Sequence, residues 1–181
     1  EEDSMVATEL RTRADVPVDD TWDLSAIYKS REDWEAAIAQ VRKDLPKLAA
    51  LQGTLAEGPA RLLEALRLEE TIGDRLTRVY SYAGLRKDED NANTDAVSDY
   101  DRVVTLSVEA SQITAFVEPE ILALPEGAVE RYLTEESELA IYRHALENLL
   151  RQREHVLSAE QEQLLAAASE MAMAPSQIFS M

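Results

Sequence analysis

Ser30-Arg31-Glu32-Asp33-Trp34-Glu35-Ala36-Ala37-Ile38-Ala39-Gln40-Val41-Arg42-Lys43-Asp44-Leu45 decides how the rest of the chain is read. Ser30 is an N-cap residue type, and Glu32 and Asp33 fall in the positive first turn of a helix. Trp34, Ile38, Val41, Leu45 and Leu48 follow at spacings of four, three, four and three, a single apolar stripe at helical period. Pro46 sits inside the pattern. A proline in a helix interior costs about 3 kcal/mol, so a kink or break is expected near Leu45. Gly53 ends the element.

Upstream lies Thr21-Trp22-Asp23-Leu24-Ser25-Ala26-Ile27-Tyr28. Asp23 or Thr21 can cap a short helix running towards Tyr28. Trp22, Leu24, Ile27 and Tyr28 are expected to dock it as an aromatic anchor, each large side chain contributing about 1.5–3 kcal/mol when fully buried. Residues 1–20 are acidic and follow no period. They read as a mobile or extended N-terminal arm, with Pro17 keeping Val16 out of the helical region. Val16 and Val18 can lie along another surface.

Downstream, Gly58-Pro59 opens a second helix, with proline at its first position. Its buried side is expected to hold Leu62, Leu63, Leu66, Ile72, Leu76, Val79, Tyr80 and Ala83, and it runs to about Arg86. Gly73 weakens it by about 1 kcal/mol relative to alanine. Residues 88–95 form a loop rich in cap residues. A third helix follows from Asn93 to Val117. Val103, Leu106, Ala110, Ile113 and Val117 make one stripe, with Tyr100, Val104, Ser107 and Ser111 beside it. So broad a face predicts the most enclosed helix of the bundle. Pro119 and Pro125 close this region. Residues 126–133 form a short helical turn, and Thr134 starts a fourth long helix with Leu139, Tyr142, Leu146, Leu149 and Arg153 on one face. Ser158-Ala159-Glu160-Gln161 is a capping box announcing a helix towards Met171. The whole is an all-α, elongated bundle of about four to six helices, with an arm at 1–20 and a helical domain at 21–181.

Composition narrows the function by exclusion. The 181-residue chain has no cysteine, so thiolate metal sites, disulfides and a cysteine nucleophile are absent. A formal net charge of −18 repels nucleic acid and anionic membranes. No apolar run reaches the roughly 20 residues that span a bilayer. The absence of cysteine and of a signal peptide leads us to expect a reducing, cytoplasmic setting.

No catalytic, cofactor-binding or metal-binding residue is assigned. The only histidines, His144 and His155, are eleven apart, with no second histidine at the zinc-helix spacing of four. Ile141 and Gln152 occupy the positions three before them, so the Glu-x-x-His pair of di-iron bundles fails. Asp88 and Asp90 fit the first and third positions of a calcium loop, but Ala92, Asn93 and Asp99 break it at the fifth, sixth and twelfth. A phosphate-cradling glycine loop and a serine elbow are both missing.

Four stretches together resemble one family. Trp22-Asp23-Leu24-Ser25-x-Ile27-Tyr28 comes first, followed by a helix bearing Trp34. Next are Tyr82-Ala83-x-Leu85 with Asp88, and Phe116 to Leu122 containing Pro119-Glu120-Ile121-Leu122. The most specific is Arg151-x-Arg153-x-His155-x-Leu157-Ser158-x-Glu160-x-Glu162-x-Leu164-Leu165. In order and spacing they resemble oligoendopeptidase F, of the M3 family of zinc metallopeptidases, over residues 16–181. The resemblance implies a helical N-terminal segment packed over a larger catalytic domain that carries a His-Glu-x-x-His helix and a downstream glutamate. Such an enzyme hydrolyses short oligopeptides in a deep channel that excludes folded proteins. None of those catalytic residues matches a position here. The chain is therefore expected to be inactive alone and to bind no zinc, while walling the channel and limiting substrate size. Its partners are its own catalytic domain and, for the parent, oligopeptides. Apolar surface near Ile178 and Phe179 leads us to expect self-association of the isolated segment. The alternative is a free-standing acidic helical domain that binds a basic protein.

Overall fold

In a computed structural model, residues 15–153 are described. The expectations placed on residues 1–14 and 154–181, including His155, the Ser158 capping box and the Ile178–Phe179 patch, lie outside them. The described residues are all-α: six α-helices and short 3-10 turns, with no strand. They fall into two compact units that divide after Ile121.

The first unit is built from α1 (Arg31–Ala49), α2 (Pro59–Glu89) and α3 (Thr94–Thr114), and α4 (Val117–Ala123) begins within it. The start of α1 is the one its sequence specifies, with the Ser30 hydroxyl accepting from the Asp33 N–H at 3.2 Å. Trp34, Ile38, Val41, Leu45 and Leu48 are all buried. The helix runs through Pro46 to Ala49 and does not break at Leu45. Proline removes one hydrogen bond close to the helix end, and the complete burial of Leu48 holds the last turn in place. The chain then turns through Gly53, whose φ of 83° is a left-handed value suited to glycine. The Gly53 N–H donates to the Glu120 carboxylate at 2.6 Å, tying that turn to α4.

The 31-residue α2 packs on both α1 and α3. It is the central helix, correcting the expectation for α3. Only Ala96, Asp99, Val103, Leu106 and Ala110 of α3 are buried; Val104 and Val108 face solvent and Ser111 is exposed. A broad apolar face needs a partner on each side, and α3 meets its neighbours along one stripe. On α2, Tyr80 is exposed and Tyr82 is buried instead. Asn93 caps α3 by accepting from the N–H groups of Asp95 and Ala96, both at 3.1 Å. Pro119 opens rather than closes a helix. It lies in the first turn of α4, where a missing N–H costs no hydrogen bond.

The octet before α1 carries a 3-10 turn, Leu24–Ala26, with the Asp23 carboxylate accepting from Ser25 N–H at 3.0 Å. Its anchor is narrower than expected. Trp22 is 56% exposed, and Tyr28 does the docking. The Tyr28 ring meets Tyr82 edge-on at 5.5 Å, and the Arg78 guanidinium lies 5.7 Å from its centre. Arg78 also donates to the Ile27 carbonyl at 3.2 Å. Just upstream, Val18–Asp20 forms a 3-10 turn, with Val18 turned to solvent.

The second unit contains α5 (Ala128–Glu135), a 3-10 segment Ser137–Tyr142, and α6 (Arg143–Gln152). Thr134 does not start a helix. It lies inside α5, its hydroxyl donating to the Glu130 carbonyl at 2.9 Å. Glu136 makes the break instead, leaving helical geometry and accepting from Glu138 N–H at 3.1 Å. Ala128, Val129, Tyr132, Leu133, Leu139 and Leu146 form the core of this unit.

Candidate functional site

The chemically densest place in the described residues is where α1, α2 and α3 converge on Asp99. This carboxylate is buried, with 5% of the residue exposed. Its two oxygens accept from Arg31 at 2.5 and 2.7 Å, a bidentate pair from α1. Arg102, one turn on, donates to it at 3.1 Å, and Arg86 of α2 stands 4.0 Å away. Arg102 also grips Glu35 of α1 through two bonds of 2.9 Å. The guanidiniums of Arg31 and Arg102 lie 5.8 and 5.5 Å from the centre of the Trp34 ring. The indole N–H of Trp34 donates to the Val79 carbonyl of α2 at 3.1 Å. One aromatic ring and one carboxylate thus join three helices.

A second buried carboxylate, Asp44, performs the same task between α1 and α2. It accepts from Lys47 at 2.6 Å, Arg75 at 2.6 Å and Gln40 at 2.9 Å. These bonds, led by that from Lys47, hold the Asp44 carboxyl below its ordinary value. The hydrogen bond from Arg102 does the same for Glu35. Glu69 of α2 moves the other way, raised first by burial and then by the nearby charge of Glu118.

Chemically these are clamps. A carboxylate whose oxygens already accept from guanidinium and ammonium groups has little left for a metal ion or a substrate proton. Among the described residues no group of three or more histidine or acidic side chains is placed to hold a metal ion. Asp99, the twelfth position of the calcium-loop comparison, is instead the acceptor for Arg31. Asp88 lies in the last turn of α2. His144 is exposed on α6 and meets the Asn148 amide at 3.0 Å within its own helix. The pairs that join helices have no local sequence signal: Arg31 and Asp99 are 68 residues apart, and Arg75 and Asp44 are 31 apart. No helix among the described residues is long and apolar enough to cross a membrane.

Fold and site therefore define a helical scaffold segment whose charged groups serve to join helices. Residues 120–181 match the family model described as Oligopeptidase F. The chain is 37% identical over 174 residues to Oligopeptidase PepF of Bacillus subtilis, a match covering 96% of this chain and 26% of that protein. It is 30% identical over 170 residues to the plasmid oligoendopeptidase F of Lactococcus lactis subsp. cremoris, covering 93% and 28%. Among solved structures, oligoendopeptidase-F from Enterococcus faecium matches with a TM-score of 0.65 at 34% identity, over 83% of this chain and 30% of that one. The chain is an N-terminal segment of the oligopeptidase F type. It spans about a quarter of the length of the curated relatives it matches.

Proposed function

We propose that residues 21–181 are the non-catalytic helical N-terminal domain of a zinc-dependent oligoendopeptidase that hydrolyses short peptides in the cytoplasm. In this reading the segment walls the substrate channel and restricts substrate size. The observation that carries it is similarity along almost the whole chain to peptidases of which it is only about a quarter. The sequence contains no His-Glu-x-x-His motif. The carboxylates of Asp99 and Asp44 already accept from cationic side chains and do not suit a zinc site; in this reading the metal is held by the catalytic domain. The part played here is mechanical: the clamps at Asp99 and Asp44 keep three helices in register as a stiff wall.

The test compares the 181-residue chain with the full-length product of its gene. With zinc present, the full-length protein is expected to cleave a short quenched-fluorescence peptide, to lose activity to a chelator, and to leave a folded protein substrate intact. The chain alone is expected to cleave neither. Zinc-dependent cleavage by the chain alone, or ready digestion of folded protein by the full-length enzyme, would overturn the reading.

A further inference from the structure

Tyr80 and Tyr100 stand on neighbouring helices, α2 and α3, with their hydroxyls 2.5 Å apart. The ring centres are 5.3 Å apart and the planes are tilted by 59°. Because the hydroxyls converge, the ortho carbons, each bonded to the carbon that carries a hydroxyl, are brought towards the partner ring. At Gly84, one turn on from Tyr80, a Cβ would sit 3.6 Å from the Tyr100 ring, an ordinary van der Waals contact, so the two helices are closely packed here. The Lys87 ammonium lies 4.5 Å from the centre of the same ring. Tyr80 is 39% exposed, so a soluble oxidant reaches the pair. The other close pair, Tyr28 and Tyr82, differs in both respects that matter. Its rings meet edge-to-face at 88°, and Tyr82 is buried.

We propose that Tyr80 and Tyr100 form an oxidative cross-linking site, joined by a peroxide-driven one-electron oxidant into an intramolecular dityrosine that staples α2 to α3. Each phenol loses one electron and one proton to become a phenoxyl radical. The two radicals couple through an ortho carbon of each ring, and both ortho hydrogens migrate to oxygen as the rings regain aromaticity. The balance is two tyrosines and one hydrogen peroxide giving one dityrosine and two waters. Pairing of the hydroxyls assists the first step, since a departing phenolic proton has an acceptor in place. Helix packing supplies the second, by holding the partner ring where the radical forms. No part of the proposal depends on the peptidase reading.

The experiment treats the 181-residue chain with a peroxidase and hydrogen peroxide. The expected product is a monomer on a denaturing gel that is lighter by two hydrogens and shows blue dityrosine fluorescence. Trypsin should release peptide 79–86 joined to peptide 88–102, with fragmentation placing the bond on Tyr80 rather than Tyr82. Tyr80→Phe and Tyr100→Phe should each abolish this peptide, while Tyr28→Phe should leave it unchanged. Only intermolecular cross-links, a bond through Tyr82, or persistence of the linked peptide in Tyr100→Phe would overturn the proposal. So would a folded chain that forms no dityrosine at an oxidant dose that couples free tyrosine.

Discussion

Asp99→Ala should be the most damaging single change among the ion-paired residues of the three-helix junction. The wild-type carboxylate accepts three guanidinium bonds, at 2.5, 2.7 and 3.1 Å, with Arg86 a further contact at 4.0 Å. Removing one partner of a fully buried ion pair costs about 3–5 kcal/mol. That figure must be reduced here, because the side chains of Arg31 and Arg102 are 45% and 40% exposed and regain water. Arg102 also keeps its two bonds to Glu35. Against this, Arg31, Arg86 and Arg102 are left as neighbouring like charges. A loss of about 2–3 kcal/mol follows, or about 4–12 °C in Tm for a chain of this size. Far-UV circular dichroism on heating measures it. Arg86→Ala is the internal control: at 4.0 Å it should cost less than any change at Asp99. A Tm within about 2 °C of wild type for Asp99→Ala, under about 1 kcal/mol, would refute the clamp as a source of stability. So would Arg86→Ala matching it.

Trp34→Phe should cost about 1–3 kcal/mol, because the Val79 carbonyl loses its buried donor, and Trp34→Ala about 3–5 kcal/mol from the void left behind; urea denaturation reads both. Stability should fall on acidification as pH drops through the lowered values of Glu35 and Asp44, below their ordinary 4.5 and 3.8, since depressed carboxylates stabilise only while ionised. Asp44→Asn should flatten that part of the profile. Glu69 has the opposite sign: its raised value makes ionisation unfavourable in the fold, and the penalty is relieved as pH falls towards 4.5. Glu69→Gln should therefore raise Tm near neutrality and not in acid, a difference that calorimetry across pH resolves. Gly127→Ala should cost about 1 kcal/mol in the same assay, purely from its φ of 74°, since an added Cβ there meets nothing within 4 Å.

The helices themselves were written locally. Ser30 caps α1, Pro59 occupies the first position of α2, and Asn93 caps α3, each through contacts within four residues along the chain. The Trp34-to-Leu48 stripe is buried as its spacing predicts, because one partner face is enough to cover a narrow stripe. The similarity to oligopeptidase F was legible for a related reason: motif order survives without knowledge of contacts. Other features depended on which surfaces meet. Periodicity marks Val104 and Tyr80 as apolar or aromatic members of a buried face, yet carries nothing about whether a neighbour stands opposite. Only packing showed α2 to be central, left Trp22 in solvent, and placed the break at Glu136 rather than a helix start at Thr134. The clamps are the clearest case. Among 36 acidic residues, Asp99 and Asp44 have only a cation three positions on, Arg102 and Lys47, as a local mark, and the exposed Arg61–Glu64 pair shares that spacing. Their identity comes from arginines brought close by the tertiary fold, since ion pairing depends on distance in space and not on separation along the chain.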